Sequence, residues 1–219
     1  AAVFMAIIVT GNVGQLWLAV LRSFHAVPFG VTDPQFGLDI GYFVFKLPVL
    51  WLVYRLVSTW LIINLIAAII FYVLLLPRGM EITSRNLSTR IFTGLEKRGL
   101  THVAVLLGLA VAWQAFQYKL AAYELLYSQT GSVIGAGAAD IGARIPAYSV
   151  MMVLSLILGA YIVLTFRKNI KAALIGIVVF FVASAVLTGV FPGLYQKLIV
   201  DPDELGREQP YLERNPGKP

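Results

Sequence analysis

The polar residues of this sequence that could do chemistry fall into two groups. One lies inside long apolar runs: Asn12 and Gln15 in "TGNVGQ", Arg55 and Asn64 in the next run, and Gln114 and Gln117 just before Lys119 in the third. Amides facing one another between helices hydrogen-bond at about 0.6–2 kcal/mol each, so the first expectation is that the amides fasten helices together, while Arg55 snorkels to the outer interface. The second is that they line a polar path for a solute. Proton and cation relays usually need intramembrane carboxylates, and no Asp or Glu falls within any of these runs. The other group lies between the runs: Asp33, Asp39, Asp140 and Arg144, extended by Glu204, Arg207 and Glu208 near the end. These are candidates for one polar cluster, with Phe36, Ile40 and Phe43 as its apolar neighbours.

Several chemistries have no residues to carry them. There is no cysteine, which excludes disulfides, thiolate metal sites and cysteine nucleophiles. His25 and His102 fall at opposite membrane faces and have no helical partner four residues away, so no metal site is expected. No Ser–His–Asp or phosphate-loop pattern occurs, and "GAGAADIG" has glycines without the strand–turn–helix setting of a dinucleotide fingerprint. The sequence therefore points to a protein that is not an enzyme, and it names no cofactor.

The elements that must position these residues follow from composition. With 59% hydrophobic and only 13% charged residues, the chain has about half the charge of a soluble domain. Five runs approach the roughly twenty residues that cross about 30 Å of hydrocarbon: about 1–21, 49–76, 101–122, 147–166 and 172–195. Helices satisfy their own backbone in lipid, and the alternating segments of a barrel are absent. The fold class is all-α, a polytopic bundle of five spans over residues 1–199 with an extracytoplasmic tail at 200–219. The opening "AAVFMAIIVTG" has no basic leader or cleavage pattern, so a natural N-terminus upstream is expected, and the closing "RNPGKP" reads as a cut.

Charge sets the orientation. Arg78, Arg85, Arg90, Lys97 and Arg98 crowd one loop and Arg167, Lys168 and Lys171 another, against Glu81 and Glu96 alone. The opposite loops balance Arg22, Lys46, Lys119 and Arg144 against Asp33, Asp39, Glu124 and Asp140. Basic residues resist translocation, so 77–100 and 167–171 face the cytoplasm and the C-terminal tail lies outside. The net charge of +6 is then a topology signal beside anionic headgroups, and no nucleic-acid partner is expected.

One outer stretch, "FGVTDPQFGLDIGYFVFKLP" at 29–48, is too polar to span a membrane and too aromatic for a plain loop. Asp33 before Pro34 has the form of a helix N-cap, and Phe36, Ile40, Phe43, Val44 and Leu47 then fall near one face. A short amphipathic helix on the outer interface is expected. Phe36, Leu38, Ile40, Tyr42 and Val44 also fit a rival period of two.

"DPQFGLDIGYFVFKLP" resembles a signature of large bacterial multi-pass membrane proteins grouped as uncharacterised protein family 0182. "GAGAADIGARIPAY" at 135–148 and "VDPDELGREQPYLERN" at 200–215 are similar to two further motifs of that family, in the same order. The family's usual Tyr-Thr is Ala138–Ala139 here, and "PGKP" stands where the family continues into its outer domain. The resemblance implies seven spans followed by a large extracytoplasmic domain, of which this chain is spans three to seven, in the cytoplasmic (inner) membrane of a bacterium. It carries no catalytic residue onto this chain. The resulting expectation is an anchoring or scaffold subunit of a membrane complex, with membrane lipids and other membrane or extracytoplasmic subunits as partners. The alternative is a transporter or lipid-handling protein that uses the polar residues between its helices.

Overall fold

The computed structural model describes residues 13–75, 97–128, 135–203 and 206. Within them the chain forms α1 (Val13–Phe24), α2 (Tyr42–Leu74), α3 (Gly99–Tyr127), α4 (Asp140–Thr165) and α5 (Ile170–Asp203). The last four are long and apolar enough to cross a membrane. No strand occurs among the described residues, only one isolated antiparallel bridge between Thr32 and Asp39. The protein is an all-α membrane helix bundle. Of the first expected span, residues 1–12 lie outside the described residues.

Helix α3 is central: it packs most extensively on α4, then on α2. The α3–α4 crossing is close because small residues meet there. Ala104, Gly108 and Ala112 recur every fourth residue on α3, and Ser155 and Gly159 do so on α4. A Cβ built on Gly159 would lie 2.6 Å from the Gly108 carbonyl oxygen and 2.7 Å from Ala112 Cβ. Where lipid tails are as apolar as leucine, such backbone proximity supplies the packing that holds helices together. Leu100, Ala104, Val111, Ile162, Phe166 and Ala173 form the core at one end of this seam. Asn169 caps α5 by accepting the Ala172 N–H at 3.0 Å.

All four spans are longer than the apolar runs suggest, α3 by reaching Tyr127 rather than about 122. α2 and α4 start at Tyr42 and Asp140 rather than near 49 and 147, and α5 continues to Asp203 rather than ending near 195. At the starts of α2 and α4 proline is the reason. Pro48 and Pro146 stand at the expected starts of those runs, yet they, like Pro192 and Pro202, each follow a five-residue π-turn by two positions: Tyr42–Lys46, Asp140–Arg144, Val186–Val190 and Gln196–Val200. A proline lacks an N–H and its ring crowds the carbonyl four residues back. Widening the preceding turn by one residue relieves that contact, and the residue before each proline donates five residues back, as Leu47 N–H does to Tyr42 O. The helices therefore run through their prolines. The 33 residues of α2 reach about 50 Å, roughly 20 Å more than the hydrocarbon is thick, a difference that tilt and the interfacial layers accommodate.

The expected separate helix starting at Asp33 does not form. Residues 29–39 are a turn-bearing loop, and helical backbone begins at Ile40 as the first turn of α2. Asp33 does cap, but it caps a turn. Its Oδ2 accepts the N–H groups of Gln35 at 2.9 Å and Phe36 at 2.6 Å. Gly37 then reverses the chain at φ 65°, a conformation that glycine alone adopts without strain. Leu38 O accepts from Asp33 N–H at 2.8 Å and Val31 O from Ile40 N–H at 2.9 Å, which closes the bridge.

Candidate functional site

The first two sequence motifs and the start of the third, residues 200–203, come to one end of the bundle. The loop of the first is fastened through Asp39: Oδ1 accepts the N–H groups of Phe29 at 3.0 Å and Gly41 at 2.7 Å, and Oδ2 that of Gly30 at 2.9 Å. The Phe29 N–H, more than the other two, holds the Asp39 carboxyl below its ordinary value against a partial desolvation that raises it. A depressed pKa means that these bonds favour the folded loop above the ordinary value of 3.8 and stop doing so as pH falls through the folded value. Hydrogen exchange is the check. Amide protection at Phe29, Gly30 and Gly41 is expected to hold from neutral pH to about 4 and to drop at lower pH, whereas Asp39→Ala should lack it throughout.

The loop seats on Tyr123 near the end of α3. The rings of Phe36, Phe43 and Tyr42 meet Tyr123 edge-on with centroids 5.0, 5.8 and 5.9 Å away. Phe43, 3% exposed, belongs to a core with Leu47, Tyr54 and Leu120. Phe36 packs against that core, while Ile40 is exposed. Between this loop and the second motif lies a cavity of about 160 Å³, walled by Asp33, Gln35, Phe43, Tyr127, Ala136 and Ile141 among others.

In the second motif Asp140 is 1% exposed. Its Oδ1 accepts from Arg144 Nη1 at 2.6 Å, and its Oδ2 from the Gly137 N–H at 3.2 Å. Ala138 and Ala139 pack on the fully buried Val200, so the start of the third motif rests on the second. Tyr195 lies so close to Gly142 that a Cβ there would sit 2.6 Å from the tyrosine hydroxyl. Small side chains at 138, 139 and 142 make this contact possible. The acidic residues thus form two arrangements on either side of the cavity. Asp33 and Asp39 bind backbone of their own loop, and Asp140 binds Arg144. Glu204 and Glu208 lie outside the described residues.

The polar residues of the spans are also divided. Tyr54 Oη lies 2.9 Å from Gln114 Oε1 and 2.8 Å from Gln117 Oε1. A hydroxyl has one proton, so it donates to one amide oxygen and accepts from the NH₂ of the other, whose nitrogen and oxygen exchange places. Trp113 Nε1 donates to the Tyr54 carbonyl at 3.3 Å and its ring stacks on Tyr54, completing a polar link between α2 and α3. Asn64 instead donates to Trp60 O in its own helix at 2.7 Å. Arg55 is exposed on α2, where its long chain can reach headgroups. Asn12 lies outside the described residues, and Gln15 is described only as backbone of α1. Sequence reasoning missed Tyr54 and the Gly108–Gly159 crossing; the four-residue spacing of small residues was the available signal for the crossing. No group of three or more His, Asp or Glu side chains placed to hold a metal ion occurs among the described residues.

The family profile described as uncharacterised protein family UPF0182 matches residues 1–216. The chain is 34% identical over 200 residues to a UPF0182 protein of Moorella thermoacetica, covering 91% of this chain and 21% of that one. It is 35% identical over 206 residues to a UPF0182 protein of Cupriavidus necator, covering 93% and 22%. With a UPF0182 protein of Nostoc sp. it shares 32% over 207 residues, covering 90% and 20%. The chain spans about a fifth of the length of these curated relatives. No solved structure matches. With the profile matching nearly end to end and these relatives 32–35% identical over at least nine-tenths of it, the chain belongs to the uncharacterised protein family UPF0182.

Proposed function

We propose that this bundle is a non-enzymatic membrane anchor whose motif-bearing end holds an extracytoplasmic assembly. One observation carries the proposal. The segment leading into α2 is fixed by the hydrogen bonds of Asp39, yet Val27, Phe29 and Val31 on it are 68%, 52% and 56% exposed. A rigid segment that displays apolar side chains at the end of a bundle is built to be covered by other polypeptide. The setting in this reading is the bacterial cytoplasmic membrane with the tail outside; the charge bias of the loops supports that orientation, and the bacterial relatives support that setting. The polar-path alternative is weaker, because Asn64 binds its own helix and the two glutamines meet Tyr54.

The test is native mass spectrometry of the full-length protein extracted in mild detergent from its own membrane. Partner subunits at fixed stoichiometry are expected, and Phe29→Ser with Val31→Ser should release them while the bundle stays folded. Phe43→Ser is unsuitable, since that ring is in the core. A lone chain carrying only lipid in wild type would contradict the proposal.

A further inference from the structure

A groove separate from the anchor surface runs between the outer turns of α3 and α4. It encloses about 190 Å³ and is lined by Phe36, Tyr123, Tyr148, Ile145, Met152 and the stem of Lys119, among others. Its walls are apolar and aromatic, with one cation. Lys119 is exposed and makes no salt bridge among the described residues. It lies two turns before the end of α3, with Tyr118, Tyr123 and Tyr148 beside it. Tyrosine rings sit well at headgroup depth, and a lysine there reaches outward to meet a phosphate.

We infer that this groove binds one anionic glycerophospholipid. An acyl chain lies along Met152 and Ile145 between the tyrosine rings, and the phosphodiester sits at the Lys119 ammonium. Lys119 is the one charged side chain in the groove lining, so a headgroup with net negative charge is preferred. This site does not depend on the anchoring role, because, of the first motif, only Phe36 lines it, and neither Phe29 nor Val31 does.

Delipidated full-length protein titrated with dioleoyl phosphatidylglycerol or dioleoyl phosphatidylcholine, and read by native mass spectrometry, tests the inference. Phosphatidylglycerol should bind about fivefold more tightly, the worth of one lysine beside an anionic headgroup. Lys119→Gln should abolish that preference, and Lys119→Arg should keep it. Ser149→Trp, at the exposed edge of the groove, should reduce binding of both lipids. Excess inorganic phosphate should not compete, since the acyl chain supplies most of the contact. An unchanged preference in Lys119→Gln would overturn the inference. So would a photocrosslink from benzoylphenylalanine at position 149 to polypeptide instead of lipid.

Discussion

Gly159→Leu is expected to cost the bundle about 3 kcal/mol or more, the upper range for overpacking a well-filled interior, and in most detergents to prevent its assembly. Even alanine would place its Cβ 2.6 Å from the Gly108 carbonyl oxygen, which is backbone and cannot rotate away. The α3 and α4 axes must then separate, and the whole seam from Ala104 to Ser155 loosens with them. Gly176→Ala is the matched control on α5. Its new Cβ would meet Leu158 Cδ1 at 3.1 Å, the flexible end of a side chain. That change should cost less than about 1 kcal/mol. Unfolding by steric trapping in bicelles reads both, and similar stabilities for the two variants would remove the close crossing from the account.

The second large effect is expected at the Asp140–Arg144 pair. The carboxylate side chain is 2% exposed and the guanidinium 27% exposed, so the partners are not equivalent. Arg144→Met leaves a buried carboxylate that keeps only part of its hydrogen bonding. Asp140→Ala leaves an arginine whose long chain can reach water. Breaking a buried pair costs about 3–5 kcal/mol, and partial exposure of Arg144 lowers the expectation to about 2–3 kcal/mol for Arg144→Met. Asp140→Ala should cost less, and the double variant Asp140→Ala/Arg144→Met should recover part of the loss. Additive effects in this cycle would mean that the pair is not coupled.

The spans were legible because their signal is bulk apolarity over about twenty residues, which no tertiary context reverses. Their starts were not. A proline reads as a helix boundary, and at Pro48 and Pro146 the preceding π-turn removes the steric reason for one. In the first motif Asp33 signals a cap in either a helix or a turn. The choice was made by Gly37 and by the three N–H groups that Asp39 gathers, two of them from residues nine or ten positions earlier. Gln114 and Gln117 could be seen as polar contacts, but their partner Tyr54 is a residue type that spans often carry without consequence. Likewise Asp140 and Arg144, four apart, could be read as neighbours on a helix, whereas the burial of Asp140 depends on how the helices pack around it.

The central claim is that other polypeptide covers the exposed face of the first motif. Its most direct test places benzoylphenylalanine at Phe29 in the full-length protein and irradiates native membranes. Leu164, 72% exposed on a membrane-spanning helix, serves as the control site. Polypeptide crosslinks from position 29 to sequence outside residues 13–203, with lipid adducts alone from position 164, are the predicted result. Lipid adducts alone from both positions would contradict the account, since Phe29 would then face the bilayer and anchor nothing.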